Sequence, residues 1–317
     1  MVHYNYLIVG GGMTADAAAR GIRKIDPDGT IGMFSLESDL PYNRPLLSKG
    51  LWKGKTIDKA MRGTEKLNVV IQLRSRVTAL NPLQKQVTDQ EGKLYSYDKL
   101  LLATGGTPRR LPFGGGDVLY YRTLEDYRRL RQMSDQKDRF AVIGSGFIGS
   151  EIAAALAMNG KQVTMIYPED GISGHVFPGD LSLFLNDYYR QKGVDICPNS
   201  TVSGLQRRDG GFLVKLSNGK QVPVDGVIAG LGILPSYELA QSAGLEVKSG
   251  ILVDEYLRTS QPDIYAAGDV AEFYNPALGK HIRVEHEDNA NTMGQTAGIN
   301  MAASLRNGTA QLYHYLP

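Results

Sequence analysis

The stretch Tyr6-Leu7-Ile8-Val9-Gly10-Gly11-Gly12-Met13-Thr14-Ala15 indicates how this chain folds, because it joins an apolar run to an alanine-rich segment through three glycines. A strand that turns through glycines into a helix N-terminus binds anions, since the first turn of a helix has unpaired N–H groups. The first glycine permits the tight turn, the second lets the backbone approach a pyrophosphate, and the third position must be small. The stretch therefore predicts a dinucleotide site at the start of an α/β domain.

A second copy of this pattern follows later, where Phe140-Ala141-Val142-Ile143 leads into Gly144-Ser145-Gly146-Phe147-Ile148-Gly149. One glycine-rich turn is weak evidence, because such turns are common. Two copies are much stronger, and each is followed by a strand that ends near an acidic residue, Glu37 or Glu169. A carboxylate at that place accepts hydrogen bonds from a ribose diol. The pattern predicts two bound dinucleotides, and proteins that hold two usually pass electrons between them.

The residues alone leave three roles open. Glu37 is either a ribose ligand or an ordinary exposed acid at a strand end, and Phe147 is either a site residue or a helix-packing residue. No arginine stands beside Glu169 to receive a 2′-phosphate, which favours NADH over NADPH, although His175 nearby points the other way.

Length, charge and cysteine content limit the possible classes of protein. A chain of 317 residues is long enough for two domains, and a net charge of +2 gives no sign of binding to nucleic acid or an anionic membrane. No apolar run approaches the roughly 20 residues of a membrane helix, and the N-terminus enters a strand at once, which leaves no room for a signal peptide. Cys197 is the single cysteine, so the chain has no redox cysteine pair. We expect a cytoplasmic protein without a metal site.

Further elements follow from turns and apolar runs. Residues 117–139 carry charges of both signs and predict a solvated helical linker, while Gly210-Gly211 and Asn218-Gly219 predict hairpin turns. Strands are expected at residues 226–232 and 264–269, and a helix over residues 289–302. We expect this last helix to belong to the same domain as the first glycine-rich stretch. The second dinucleotide domain is therefore expected to be inserted into the first. The predicted fold class is α/β with two Rossmann-like domains.

Four landmarks in their order resemble the FAD/NAD-linked, or pyridine nucleotide-disulfide, oxidoreductase superfamily. They are the first glycine-rich stretch, Ala103-Thr104-Gly105-Gly106, the second glycine-rich stretch, and Tyr265-Ala266-Ala267-Gly268-Asp269. The resemblance implies a glutathione reductase-like arrangement, with an FAD-binding domain at residues 1–113 and 243–317 and an inserted NADH-binding domain at residues 114–242. Family members normally continue for another domain after Tyr315-Leu316-Pro317. We therefore expect the C-terminal interface domain to be absent, and the oligomeric state stays open.

The segment Leu40-Pro41-Tyr42-Asn43-Arg44-Pro45-Leu46-Leu47-Ser48-Lys49 indicates the branch of the family. Members that use a dithiol carry their redox cysteines in this region. The segment instead resembles the ferredoxin and rubredoxin reductases and, more closely, the apoptosis-inducing factors. The closer resemblance also rests on residues 103–109, on residues 146–151, and on Arg283-Val284-Glu285-His286-Glu287-Asp288-Asn289-Ala290.

The resemblance implies roles at the matching positions. Lys49 and Glu151 would be the catalytic ion pair beside flavin N5, where a cation stabilises charge on the reduced flavin. Phe147 resembles an aromatic gate that covers the flavin until nicotinamide displaces it. Arg44, Lys49, Arg109 and Asp269 would contact FAD, His286 and Glu287 would lie near the isoalloxazine, and Glu285 and His286 would border the nicotinamide. The full set of predicted cofactor-binding residues is Gly10, Gly12, Met13, Thr14, Ala15, Glu37, Arg44, Lys49, Val77, Ala103, Thr104, Gly105, Arg109, Gly144, Gly146, Phe147, Ile148, Gly149, Glu169, Gly232, Asp269, Glu285, His286 and Glu287.

The resemblance implies an FAD-dependent oxidoreductase that takes hydride from NADH onto flavin N5. Without a cysteine pair, electrons would leave the flavin directly for an external acceptor, which is a ferredoxin- or rubredoxin-type carrier, a quinone or oxygen. The alternative is a slow-turnover flavoprotein of redox signalling or assembly, similar to apoptosis-inducing factor and switched by NADH.

Overall fold

Two sheets form behind the two glycine-rich stretches, because each stretch ends a run that is apolar on both faces of its strand. The computed structural model describes residues 1–315. Leu316 and Pro317 lie outside the described residues. Both belong to the predicted FAD domain and to the segment after which family members normally continue. The chain divides into two compact units. Unit 1 contains Met1–Asn43, Asp58–Thr107 and the residues from Pro235 onward, and unit 2 contains Arg44–Ile57 and Pro108–Leu234. The predicted domain boundaries stay a prediction.

The strands and helices follow one another along the chain with these bounds. The strands are β1 (Val2–Val9), β2 (Ile31–Phe34), β3 (Val69–Gln72), β4 (Val77–Asn81), β5 (Gln86–Asp89), β6 (Leu94–Leu102), β7 (Gly106–Pro108), β8 (Val118–Tyr120), β9 (Arg139–Ile143), β10 (Gln162–Ile166), β11 (Val194–Cys197), β12 (Val202–Arg208), β13 (Gly211–Leu216), β14 (Gln221–Val224), β15 (Gly226–Ala229), β16 (Ile233–Pro235), β17 (Ile251–Val253), β18 (Ile264–Ala266), β19 (Ala271–Asn275) and β20 (Lys280–Ile282). The helices are α1 (Met13–Ile25), α2 (Leu124–Gln136), α3 (Phe147–Met158), α4 (Gly179–Gln191), α5 (Glu238–Ser242) and α6 (Glu287–Leu305).

Unit 1 is built on a sheet with the strand order β3-β2-β1-β6-β5-β4, and β18 also pairs with β6. The pairs among β1, β2, β3, β6 and β18 are parallel, while β4 and β5 join antiparallel. Val9 at the end of β1 lies opposite Phe34 on one side and Leu102 on the other. The strand order reverses at β1, and the crevice at the carboxyl ends of such strands is where α/β sheets bind ligands. The first glycine-rich stretch starts at this point.

Helices α1 and α6 pack against each other in unit 1 through glycines. A Cβ atom on Gly21 would lie 2.2 Å from the carbonyl oxygen of Gln295, and one on Gly298 would lie 2.1 Å from that of Ala18. A Cβ atom on Gly294 would lie 2.5 Å from the carbonyl oxygen of Thr14. These positions admit no side chain, because backbone atoms occupy the space. The contact therefore fixes α1, and with it the first glycine-rich turn, against the helix that begins at Glu287.

Unit 2 has a five-stranded parallel sheet with the order β11-β10-β9-β15-β8. Ile143 at the end of β9 lies opposite Ile166 of β10 and Ala229 of β15, so the strand order reverses at β9 as it does at β1. Strands β12, β13 and β14 form a separate antiparallel sheet. Both predicted hairpins are therefore confirmed.

The segment 117–139 differs from the sequence-based expectation of one helical linker. Val118-Leu119-Tyr120 forms the edge strand β8, which pairs in parallel with β15, and helix α2 begins only at Leu124. The reason is local. The short apolar run is buried, and Thr123 and Asp126 then form a capping box that starts the helix.

Among residues 1–315, no helix combines the length and the apolar character that crossing a lipid bilayer requires.

Candidate functional site

The first glycine-rich turn brings the end of β1 against the end of β6. Gly10 has φ +131°, and a Cβ atom there would lie 2.1 Å from the carbonyl oxygen of Ala103. Gly12 is the N-cap of α1, and no side chain caps this helix end. The N–H groups of the first turn, at Met13 and the buried Thr14 and Ala15, thus face no capping side chain. Position 10 accepts only glycine, because its φ angle and the nearby carbonyl group of Ala103 leave no place for a side chain.

A second glycine brings the turn after β18 to the same place. Gly268 has φ +78°, and a Cβ atom there would lie 2.3 Å from Oγ1 of Thr14. Asp269 follows directly and is half-buried. The structure therefore gathers Gly10, Thr14, Ala103 and Asp269, which the sequence places far apart, at one cradle of unit 1. The first turn of α1, whose N–H groups have no capping side chain, suits a pyrophosphate group.

Glu37 lies three residues after β2 and is oriented by a neighbour that sequence analysis missed. The hydroxyl of Tyr42 donates a hydrogen bond to Oε2 of Glu37 at 2.5 Å, and Glu37 is half-buried. This geometry differs from that of an ordinary exposed acid. Tyr42 lies within the Pro-Tyr-x-Arg-Pro segment, so its position in that motif was the available signal.

The residues predicted to border the nicotinamide lie at the N-terminus of α6. Arg283 Nη1 donates to the carbonyl oxygen of Asp269 at 2.8 Å and to Oε1 of Glu285 at 2.6 Å. His286 is the N-cap of α6, and its Nδ1 accepts a hydrogen bond from the N–H of Asp288 at 3.2 Å. Glu285, His286 and Glu287 are all exposed. Arg283 thus connects the Gly-Asp turn to this group.

The second glycine-rich turn is closed by three glycines that touch one another. A Cβ atom on Gly149 would lie 2.1 Å from the carbonyl oxygen of Gly144, and one on Gly144 would lie 2.4 Å from that of Gly230. A Cβ atom on Gly230 would lie 2.8 Å from the backbone nitrogen of Gly149. Gly146 is the N-cap of α3, without a capping side chain. Unit 2 therefore has a cradle of the same type, in which Gly230 is a member that the sequence analysis missed.

Glu169 is tied to this second turn by a side-chain hydrogen bond. The hydroxyl of the buried Ser145 donates to Oε2 of Glu169 at 3.0 Å. The exposed ring of His175 also lies near this turn, with its Cε1 atom 3.8 Å from the place of a Cβ atom on Gly146. A carboxylate and an imidazole therefore flank the same glycine turn, as the opposed signals in the sequence suggested.

Phe147 begins α3 and is 59% exposed. Its ring meets that of Phe177 edge to face, with 6.3 Å between the centroids. Because more than half of the side chain is exposed, plain helix packing does not explain it. Its role as a gate over the flavin stays a prediction. Ile148 beside it is also exposed.

Lys49 and Glu151 form the predicted ion pair within unit 2. The distance from Lys49 Nζ to Glu151 Oε1 is 3.2 Å. The hydroxyl of Ser48 donates to the other carboxylate oxygen, Oε2, at 2.5 Å, a contact that sequence analysis missed because serine carries no signal of its own. Arg44 Nη1 donates to the carbonyl oxygen of Arg122 at 2.6 Å.

Two cavities adjoin Ser48. One, of about 170 Å³, is lined among others by Ser48, Lys49, Trp52, Glu151 and Tyr189. The other, of about 70 Å³, is lined among others by Arg44, Ser48, Tyr121, Ile148, Gly230 and Gly232. Burial raises the pKa of the Tyr189 hydroxyl, which donates to the carbonyl oxygen of Ser150 at 3.2 Å. The second cavity reaches the glycine turn of unit 2.

The remaining predicted residues have structural contacts of their own. Thr104 Oγ1 donates to the carbonyl oxygen of Ser236 at 2.6 Å, and Gly105 has φ +61°. The N–H of Arg109 donates to the carbonyl oxygen of Gly232 at 3.0 Å. Val77 begins β4 and belongs to the hydrophobic core of unit 1.

Comparison with known proteins places these features in a family. The model of the pyridine nucleotide-disulphide oxidoreductases matches residues 4–294. The chain is 38% identical over 308 residues to the 5,5'-dehydrodivanillate O-demethylase ferredoxin reductase subunit of Sphingobium sp., covering 94% of this chain and 75% of the relative. It is 33% identical over 346 residues to the mitochondrial apoptosis-inducing factor 1 of Dictyostelium discoideum, covering 99% and 64%. A covalent putidaredoxin reductase–putidaredoxin complex contains a chain with a TM-score of 0.89 and 32% identity, covering 98% and 77%.

Proposed function

The chain belongs to the pyridine nucleotide-disulphide oxidoreductase family, and from that premise we propose that it passes electrons from NADH through FAD to a small redox protein of the ferredoxin or rubredoxin type. The members of this family are FAD-containing, NAD(H)-dependent oxidoreductases. The two-domain α/β fold and the ferredoxin reductase and apoptosis-inducing factor branch, both expected from the sequence, are confirmed.

The observation that carries the proposal is the pair of glycine cradles, one in each unit. In unit 1, Gly10 and Gly268 let the chain approach Ala103 and Thr14 closely, and the first turn of α1 beside them has no capping side chain. In unit 2, Gly144, Gly149 and the first turn of α3 repeat the arrangement. Two dinucleotide sites with different surroundings suit a donor and an acceptor of hydride.

The chain's own residues would hold the two cofactors and adjust the charge around them. FAD would occupy the cradle of unit 1, with Glu37 at its ribose, and NADH the cradle of unit 2, with Glu169 at its ribose. Bound FAD supplies the acceptor for hydride and the ability to give up electrons one or two at a time. Lys49 would provide a cation beside it, and Glu151 would hold that cation in place. The single cysteine, Cys197, is buried in β11 and offers no dithiol exit, so a carrier would take the electrons from the flavin.

The nature of the relatives supports a protein carrier as the acceptor. One is a ferredoxin reductase subunit, and another was solved in a covalent complex with putidaredoxin. Quinones and oxygen are alternative acceptors. A second candidate function is a slow redox-signalling or assembly flavoprotein, which the similarity to the apoptosis-inducing factor of Dictyostelium discoideum favours.

We expect the purified protein, after reconstitution with FAD, to be yellow and to lose its flavin absorbance when NADH is added. In the presence of its carrier it should then turn over at about 1–1000 per second, the ordinary range for enzymes. A long-lived complex of reduced flavin with NAD and very slow turnover with every ferredoxin and rubredoxin tested would favour the signalling function. If added FAD neither binds nor raises the melting temperature, the cofactor assignment is wrong.

The choice of nicotinamide cofactor depends in this proposal on Glu169. We expect Glu169→Gln to narrow the preference for NADH over NADPH about tenfold, because the carboxylate repels a 2′-phosphate and an amide does not. Glutamine keeps an oxygen that accepts the hydroxyl of Ser145, so the turn should persist. The measurement is the rate of flavin reduction by each cofactor in stopped flow. Glu125→Gln, which removes an exposed acid from α2, is the control. Equal ratios in both variants would show that another residue selects the cofactor.

A further inference from the structure

The hydroxyl of Ser48 is held in place and has one strong acceptor. Ser48 is 5% exposed, and its Oγ lies 2.5 Å from Oε2 of Glu151, compared with 3.5 Å from the carbonyl oxygen of Pro45. A short hydrogen bond from a hydroxyl to a carboxylate is charge-assisted and about twice as strong as a neutral one. Because Lys49 Nζ contacts Oε1, two consecutive residues hold the two oxygens of one carboxylate.

The two contacts of Glu151 differ in what they can fix. The side chain of Lys49 is 57% exposed and that of Glu151 is 25% exposed, and an ion pair with such an exposed partner holds its side chains only weakly in one geometry. Ser48 has one short, buried side chain between two turns of 3-10 helix, Arg44–Leu47 and Gly50–Lys53. The carboxylate is therefore oriented chiefly by Ser48, and the ammonium of Lys49 follows the carboxylate.

Ser48 also lies at the boundary between the two cavities. Within the described part of the chain, Ser48 is the one residue that lines both cavities. On one side lies the larger cavity, with Lys49 and Glu151 in its wall. On the other lies the smaller cavity, whose wall includes Ile148 and Gly232 near the glycine turn of unit 2. Ser48, which donates to Glu151, thus borders both the cavity at the ion pair and the cavity at the glycine turn.

We propose that Ser48 is a positioning residue, whose hydroxyl fixes the Glu151 carboxylate so that Lys49 presents its charge to the flavin in one orientation. This inference rests on the proposed function, in which Lys49 lies beside the flavin. Without the hydroxyl, the carboxylate is free to turn and to neutralise Lys49 more completely. The cation then stabilises the electron-rich reduced flavin less, and the flavin becomes harder to reduce.

The test compares Ser48→Ala with Ser134→Ala in the FAD-loaded protein. Ser134 of α2 is as deeply buried as Ser48, and its hydroxyl donates to the carbonyl oxygen of Arg131 at 2.8 Å. Both variants lose one buried hydroxyl of unit 2, but only Ser48→Ala loses a contact with the Glu151 carboxylate. We expect Ser48→Ala to shift the midpoint potential of the flavin to a more negative value and to slow flavin reduction by NADH about tenfold. Ser134→Ala should change neither.

A double-mutant cycle separates positioning from a general loss of structure. In the Glu151→Gln background, Ser48→Ala should shift the potential further by much less than it does alone, because the charged acceptor is already gone. Ser48→Thr, which keeps the hydroxyl, should restore most of the potential and serves as the reference if Ser48→Ala folds poorly. Equal potentials in Ser48→Ala and Ser134→Ala, additive effects in the cycle, or a threonine variant as impaired as the alanine variant would each overturn the inference. Failure of the unmutated protein to bind FAD or accept electrons from NADH would instead overturn the proposed function.

Discussion

Gly149→Ala is expected to lower the rate of flavin reduction by NADH by a factor of about 100 or more, while leaving FAD bound. The new Cβ atom would lie 2.1 Å from the carbonyl oxygen of Gly144 and 2.9 Å from its carbonyl carbon, and both are backbone atoms that no rotamer change can move away. The turn must therefore open, and the first N–H groups of α3 move away from the pyrophosphate. A misplacement of about 1 Å at a reacting centre can by itself cost about a hundredfold. Stopped-flow absorbance of the flavin measures the rate, and the visible spectrum measures FAD occupancy.

Gly179→Ala is the matched control for this experiment. Gly179 also starts a helix of unit 2, but a Cβ atom there meets nothing within 4 Å, and its φ lies outside the left-handed region. It should keep the unmutated rate. If Gly149→Ala loses FAD and keeps its affinity for NADH, the assignment of FAD to unit 1 and of NADH to unit 2 is the wrong way round. Should it retain the unmutated rate with NADH, the second glycine turn would not be the nicotinamide nucleotide site.

Asp16→Asn is expected to destabilise the protein by about 3–5 kcal/mol, the usual loss when a buried charge network loses one partner. Asp16 is fully buried in the first turn of α1. It accepts hydrogen bonds from Arg20 Nε at 2.9 Å, from Arg62 Nε at 2.6 Å and from Thr64 Oγ1 at 2.6 Å. An asparagine would turn an amide donor toward these donors and leave two guanidinium groups without their charge partner. The midpoint of urea unfolding and the melting temperature measure the loss.

The pH dependence of this loss follows from the pKa of Asp16. Burial alone would raise that pKa, but the hydrogen bonds from Arg20, Thr64 and Arg62 outweigh burial and lower it below its ordinary value. Because the folded pKa is below the unfolded value of about 3.9, the stabilisation is complete above about pH 5 and is lost as the pH falls through the folded pKa. The difference in stability between unmutated protein and Asp16→Asn should therefore shrink below about pH 4.

An exposed aspartate provides the comparison for Asp16. Asp187→Asn breaks an ion pair with Arg190 at 2.9 Å, in which the two side chains are 70% and 48% exposed. Such pairs contribute about 0–1 kcal/mol, so this variant should unfold almost like the unmutated protein. Equal losses in both variants would mean that the Asp16 network contributes no more than a surface pair.

The features predicted correctly from the sequence are those in which local spacing dictates geometry. Gly10 and Gly144 indicate their turns because each lies between a strand and a helix that are only a few residues apart. Gly219 indicates a hairpin because it lies in a short turn between two strands. The Lys49–Glu151 contact could be predicted only from the family resemblance, since no local pattern joins residues so far apart. Its presence is confirmed, and its place beside the flavin stays a prediction.

The features that the sequence did not reveal depend on long-range packing. Val118-Leu119-Tyr120 is a short apolar run next to a charged helix, and only its pairing with β15 makes it a strand. The partners Thr64 and Arg62 of Asp16 lie in or beside a short turn of 3-10 helix with no periodic signal. Ser48 and Tyr42 are common residue types, whose importance comes from the acidic side chain that the fold brings to each.

The glycine contact between α1 and α6 has a consequence for how the protein is made. One of its surfaces, Gly21, belongs to the start of the chain, and the other, Gly294 and Gly298, leaves the ribosome only after every residue of unit 2 has been synthesised. Domains generally fold as units during synthesis. Unit 2 can therefore complete its core before α6, the packing partner of α1, has been synthesised. The nascent chain should thus fold unit 2 before α1 packs against α6, and the first nucleotide cradle should form after unit 2.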